Sequence, residues 1–233
     1  MNNLFVAENK IEAILIIKSA AIFGFIIAIT FISAGRLNYW QGWIFNGLNI
    51  FFILLTYYYL FDRADLIKER LSPGSGMKSW DKIYYAVTTP FFFAVMILSA
   101  LDAGRFKWEP LLPLLWVIVG MILYVIGQLI VLWAKKTNKY FSSVVRIQKD
   151  RGQKVCKDGP YSYIRHPGYF GGIIYTIATP LLLSSFWGFV INLFVIIPII
   201  IRTYLEDNTL QKELDGYLEY TKEVKYRLIP RIW

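Results

Sequence analysis

Apolar residues in this chain come in long blocks separated by short polar segments. Six blocks stand out, at about 13–34, 40–61, 83–101, 111–134, 169–183 and 186–205. A helix of about 20 residues crosses the hydrocarbon core of a bilayer, and most of these blocks have that length. The fifth is short, contains Pro180, and is separated from the sixth by only a few residues. That pair predicts a helical hairpin. The pattern therefore predicts an all-α, polytopic membrane helical bundle of about six transmembrane helices, closed by a C-terminal hairpin. The first block is longer than the apolar core of a signal peptide, so it is expected to stay as an uncleaved first helix, with Lys18 snorkelling from one end.

Charge orients the bundle. With the N-terminus, the second and fourth connections and the C-terminus on one side, that side carries one, five, nine and six basic residues, 21 of the 25 in the chain. The opposite connections hold only Arg36, Arg105 and Lys107. Cytoplasmic segments are the ones enriched in Lys and Arg, so both termini are expected in the cytoplasm. The same asymmetry accounts for the net charge of +9 without a nucleic-acid partner. Composition agrees: 56% of residues are hydrophobic and 18% aromatic, with a mean hydropathy of +0.45, well outside the soluble range. One cysteine, Cys156, and one histidine, His166, rule out an intrachain disulfide and a metal site built of Cys and His. A composition rich in Ile, Lys and Asn hints at a microbe and hence at the plasma membrane.

Polar chemistry is concentrated in the segments flanking the hairpin, so 1–134 reads as four N-terminal helices and 135–233 as the functional core. The stretch GPYSYIRHPGYFGG, 159–172, places His166 just before Pro167. Proline is tolerated in the first helical turn, so His166 falls at a helix entrance, where free N–H groups and the dipole favour an anion. Gly168, Gly171 and Gly172 leave room for close approach by a helix or a ligand, and Tyr161, Tyr163 and Tyr169 can line an amphipathic pocket. Arg, His and Tyr are also ordinary interfacial anchors. In IIIRTYLED, 199–207, Arg202 and Glu206 share a helix face near the end of the last span. They could be an ion pair that finishes the helix or a functional pair. The basic stretch 138–161 could lie on anionic lipid or close over a pocket. No Walker loop, dinucleotide-binding glycine motif, HExxH or GxSxG occurs.

GPYSYIRHPGYFGG, the hairpin, RTYLED and GYLEYTKEVKYRLIP together resemble the isoprenylcysteine carboxyl methyltransferase family. This is a group of integral-membrane enzymes that use S-adenosylmethionine and are related to phospholipid N-methyltransferases. The resemblance covers roughly 138–230. It implies a cytoplasmic cofactor site in which His166, Pro167, Gly168, Tyr169, Tyr161, Gln148 and Glu206 contact the cofactor and Gln153, Lys154, Val155 and Cys156 supply a backbone edge. It implies that Arg202 positions the acceptor. The family's histidine at the head of that edge is Gln153 here, and its second glutamate is Asp207. The acceptor is expected to be lipophilic, entering from the bilayer: a prenylated cysteine carboxylate or a similar hydrophobic acid. A phospholipid amine is the alternative, which would make Arg202 a phosphate clamp. A sterol-type NADPH-dependent reductase, with a related RHP stretch, and a non-enzymatic protein that kept the fold stand further off.

Overall fold

The computed structural model describes residues 20–60, 66, 69–70 and 73–233. The expectations for Lys10, Lys18 and the start of the first block lie outside them. Regular structure among the described residues is entirely helical: α1 (Ala20–Ala34), α2 (Trp40–Leu60), α3 (Ser79–Ser99) continuing into a π-helical turn (Ala100–Phe106), α4 (Leu114–Thr137), α5 (Pro167–Leu182), α6 (Phe186–Glu213) and the short α7 (Tyr217–Glu223). Helices α2, α3 with its π turn, α4 and α6 are long and apolar enough to cross a membrane. With the apolar α1 they make this an integral membrane protein.

Helix α4 shows why the bundle forms. Leu115, Ile118, Ile122, Ile126, Leu129 and Trp133 are exposed at helical spacing, as a stripe suited to lipid. Val117, Gly120, Tyr124, Gly127, Val131 and Ala134 are buried on the other face. There the backbones of α4 and α5 meet. A Cβ on Gly127 would lie 2.6 Å from the Tyr175 nitrogen, and one on Gly171 would lie 2.6 Å from the Gly127 carbonyl oxygen. Association without a hydrophobic drive between helices depends on such close packing. Helix α6 packs against both α5 and α3, which completes the predicted hairpin and ties it to the rest.

The turn between α5 and α6 is held by polar contacts. Ser185 Oγ accepts from the Gly188 N–H as the cap of α6 and donates to the buried Asp102 Oδ2 at 2.7 Å. Tyr39 donates to the Leu183 carbonyl at 2.5 Å. At its C-terminal end α6 runs on to Glu213, past the end of its apolar block. It stays helical because it turns buried polar residues, Arg202, Thr203 and Asp207, toward the protein. Pro198 sits within this helix without ending it.

Candidate active site

The RHP stretch is clamped from three sides. Arg165 and His166 donate their backbone N–H groups to the Tyr226 and Arg227 carbonyls, both at 2.9 Å, which draws the C-terminal tail alongside. Pro167 then opens α5 with His166 at its cap position. From α6 comes Asp207, fully buried. Its Oδ1 meets Arg165 Nε at 2.8 Å, His166 Nε2 at 3.1 Å and the Tyr217 hydroxyl at 3.1 Å. Its Oδ2 accepts from Arg165 Nη2, Arg227 Nε and Gln211 Nε2. One carboxylate thus binds the hairpin entrance, α6 and the tail together. That is a plain function for the residue whose departure from the family pattern stood out in the sequence.

Just before Asp207 on α6, Arg202 and Glu206 do not form the ion pair that their spacing allows. Arg202 turns instead to Asp81 at the start of α3, with Nε 2.8 Å from Oδ1 and Nη2 3.2 Å from Oδ2, and donates from Nη2 to the Ser143 carbonyl at 2.8 Å. Its guanidinium lies over the rings of Tyr84, Tyr85 and Tyr169, 4.4, 5.0 and 5.4 Å from their centroids. Glu206 takes the Tyr169 hydroxyl on its Oε2. A buried, oppositely charged partner on another helix offsets the desolvation of Arg202 better than a half-buried neighbour on its own helix.

The segment 138–158 folds over this face. Tyr140 donates to the Gly152 carbonyl at 2.7 Å, Gln148 Nε2 to the Tyr140 carbonyl at 2.7 Å, and the Gln148 N–H to Gln153 Oε1 at 2.6 Å. Gln148 therefore spends its amide inside the loop. Arg146 anchors the same segment through Glu69 at 2.8 Å and Asp150 at 2.7 Å. Gly74 sits where a Cβ would come 2.8 Å from Arg146 Nη2, so its backbone packs against the loop.

Between these elements lies a cavity of about 340 Å³, of the size that holds a small ligand. Of the residues singled out in the sequence, Gln148, Gln153, Lys154, Val155, Cys156, Tyr161, His166, Gly168, Tyr169, Arg202 and Glu206 line it. Pro167, whose part is to start α5, and Tyr163, which is exposed, do not. Residues that local motifs did not reveal also form the wall: Arg70, Tyr84 and Tyr85 from the α2–α3 side, Gln128 and Lys135 from α4, and Tyr217 and Tyr220 near the tail. The cavity thus takes walls from both sides of residue 134. Burial pushes the Tyr161 phenol above its ordinary value, so it is a neutral donor. Burial also raises the Cys156 thiol, which makes it a poor nucleophile. Deeper in the bundle a second cavity, of about 100 Å³, shares Gln128 and Tyr175 with the first and is otherwise lined by residues such as Phe45, Met96 and Asn192.

Comparison with known proteins bears on this arrangement. Residues 115–215 match the family model described as phospholipid methyltransferase. The chain is 28% identical over 158 residues to the protein-S-isoprenylcysteine O-methyltransferase of Saccharomyces cerevisiae, a match covering 65% of this chain and 66% of the yeast protein. It is 34% identical over 68 residues to a probable protein-S-isoprenylcysteine O-methyltransferase of Oryza sativa subsp. indica, covering 29% of this chain and 36% of the rice protein. The matches thus span less than two thirds of either relative. In fold, the chain resembles a solved eukaryotic intramembrane Ras methyltransferase, an isoprenylcysteine carboxyl methyltransferase, with a TM-score of 0.54 at 18% identity, over 91% of this chain and 75% of that one.

Proposed function

We propose that the chain is an enzyme of the isoprenylcysteine carboxyl methyltransferase family, as its likeness in sequence and fold supports, and that it transfers a methyl group from S-adenosylmethionine to a lipophilic acceptor, a hydrophobic acid such as a prenylated cysteine. One observation carries the reading. Arg202 and Glu206, one turn apart on α6, face the same cavity as His166, Tyr161 and the edge 153–156. These groups fit the cofactor. Glu206 is the one carboxylate of the cavity wall among the described residues, and it stands ready for a cation or for ribose hydroxyls. Tyr161 and the 153–156 edge supply hydrogen-bonding groups for the polar remainder. When bound, S-adenosylmethionine supplies an electrophilic methyl group.

The protein's share is orientation and exclusion of water, which can supply most of the effect in a displacement between held partners. A carboxylate acceptor has no proton to lose, so no general base is needed. The ion pair with Asp81 and the Nη2 bond to the Ser143 carbonyl fix the Arg202 guanidinium at the cavity wall, where it can meet the acceptor. Fixing a donor in this way reduces the entropy lost on binding. The excess of basic residues supports a cytoplasmic position for the cavity and both termini, and the plasma membrane is the expected location in a microbe. There, a farnesyl-cysteine acceptor would be a surrogate for the natural one.

The test is binding of labelled S-adenosylmethionine to the purified protein, then transfer to defined lipids. A carboxylate amphiphile that accepts label, with loss of transfer but retained cofactor binding in Arg202→Ala, is the expected result. The family model's phospholipid description keeps a second acceptor in view: label on phosphatidylethanolamine alone would replace the acid with an amine. Stabilisation by NADPH and not by S-adenosylhomocysteine would overturn the methyltransferase reading.

A further inference from the structure

Most basic side chains around the cavity are matched. Arg146 is paired with Glu69 and Asp150, Arg165 with Asp207, and Arg202 with Asp81, while Lys154 is exposed to water. Arg70 and Lys135 differ. Both line the cavity, and neither forms an ion pair among the described residues. Arg70 Nη1 is buried with no hydrogen-bond partner among the described residues. Its guanidinium stacks over Phe141, 5.1 Å from the ring centroid. That ring is itself pressed against α5, where a Cβ on Gly168 would come 2.6 Å from it. Arg70 shares the cavity wall with Tyr85, Tyr161, Tyr175 and Arg202. Lys135, in the last turn of α4, feels the charge of Arg70. Two like charges partly removed from water repel each other and are costly to bury unless a ligand brings the opposite sign.

The donor molecule does not supply that sign on balance. S-adenosylmethionine carries a sulfonium, an ammonium and a carboxylate, and Glu206 offsets its net positive charge. We infer that Arg70 and Lys135 form an anion-recognition site for the head of the acceptor. Resting on the methyltransferase reading, this makes the acceptor an anionic amphiphile, a carboxylate or a phosphate, rather than a neutral or zwitterionic lipid. Arg70 supplies a flat fork of donors for paired oxygens, and Lys135 adds a point charge. Arg202, already neutralised by Asp81, orients the reacting oxygen, while Arg70 and Lys135 select the charge.

The probes are dodecanoate, dodecyl phosphate, dodecanol and inorganic phosphate, added to the full-length protein in a neutral detergent, with binding read by intrinsic fluorescence and thermal shift. Both anionic amphiphiles should bind the wild type. Arg70→Gln and Lys135→Gln should each weaken them by about tenfold, the scale of one lost charged hydrogen bond. Arg70→Lys should restore part of the loss, and the affinity for S-adenosylhomocysteine should be unchanged in all three variants. Dodecanol binding as tightly as the anions, inorganic phosphate competing as well as dodecyl phosphate, anion affinity unchanged in both Gln variants, or a loss that falls on S-adenosylhomocysteine would each overturn the assignment. A wild type that binds the anions but not S-adenosylhomocysteine would sink the methyltransferase reading and leave the anion site standing.

Discussion

Arg202 on α6 is held by Asp81 at the start of α3, 2.8 Å from Nε to Oδ1, with both side chains buried. Asp81 Oδ2 also accepts the Val145 N–H at 2.7 Å, so one carboxylate joins two spans and the loop that covers the cavity. Replacing Asp81 by Ala would strand a buried guanidinium. A loss of about 3–5 kcal/mol in unfolding free energy is expected, the cost of breaking a buried pair from one side. Asp81→Leu combined with Arg202→Met should lose much less, because no uncompensated charge remains. Thermal unfolding in detergent separates the two. A double variant as unstable as the single would show that the Val145 contact, not the ion pair, carries the effect.

Two neighbouring glycines should behave in opposite ways. Gly171→Ala places a methyl group 2.6 Å from the Gly127 carbonyl, and neither backbone can yield without separating α4 from α5. Overpacking at such a contact costs about 1–3 kcal/mol or more, so reduced expression and a lower unfolding temperature are expected. At Gly172, the nearest atom to an added Cβ is Tyr175 Cε1, at 4.0 Å. Gly172→Ala should fold normally and, since the residue lines the cavity, show its effect in ligand affinity. Equal unfolding temperatures for the two variants would contradict the packing of α4 on α5.

The apolar blocks carried the helices because lipid leaves backbone groups no partner outside the helix. The RHP motif and the RTYLED turn similarly carried much of one wall of the cavity, since both are local. What stayed hidden came from far along the chain. Asp81 lies 121 residues from Arg202, and Arg70 sits in a connection with no motif of its own. The close contact at Gly127 had a readable signal: Gly120 and Gly127 repeat on one face of an apolar block. The extension of α6 to Glu213 was masked because its apolar period fades where its buried face becomes polar.

Cys156 offers a probe of occupancy, being the chain's one thiol and part of the cavity wall. Burial raises its pKa, so less thiolate is present at a given pH than in a free cysteine. Alkylation of the folded protein should be slow near neutrality and should accelerate only at a pH higher than a model thiol requires. S-adenosylhomocysteine should slow it further if the 153–156 edge holds the cofactor. Labelling at the model-thiol rate, unaffected by the ligand, would remove Cys156 from the binding site.

Glu206 and Asp207, adjacent acids on α6, should separate binding from folding. Among the described residues, Glu206 accepts one side-chain hydrogen bond, from the Tyr169 hydroxyl, and it lines the cavity. Glu206→Gln keeps the shape and an acceptor oxygen but loses the charge, so the fold should persist while affinity for a cationic donor falls by about tenfold. Asp207 faces inward to Arg165, His166 and Arg227. With Asp207→Asn, two arginines lose their counter-charge and the tail loses its tie to the hairpin entrance. A destabilisation of about 3–5 kcal/mol is expected, seen as faster proteolysis of the C-terminal segment and a lower unfolding temperature, with binding lost only as the fold is lost. Isothermal titration at a temperature where both variants remain folded decides the matter. Normal affinity in Glu206→Gln together with weakened affinity in a stable Asp207→Asn would exchange the two roles.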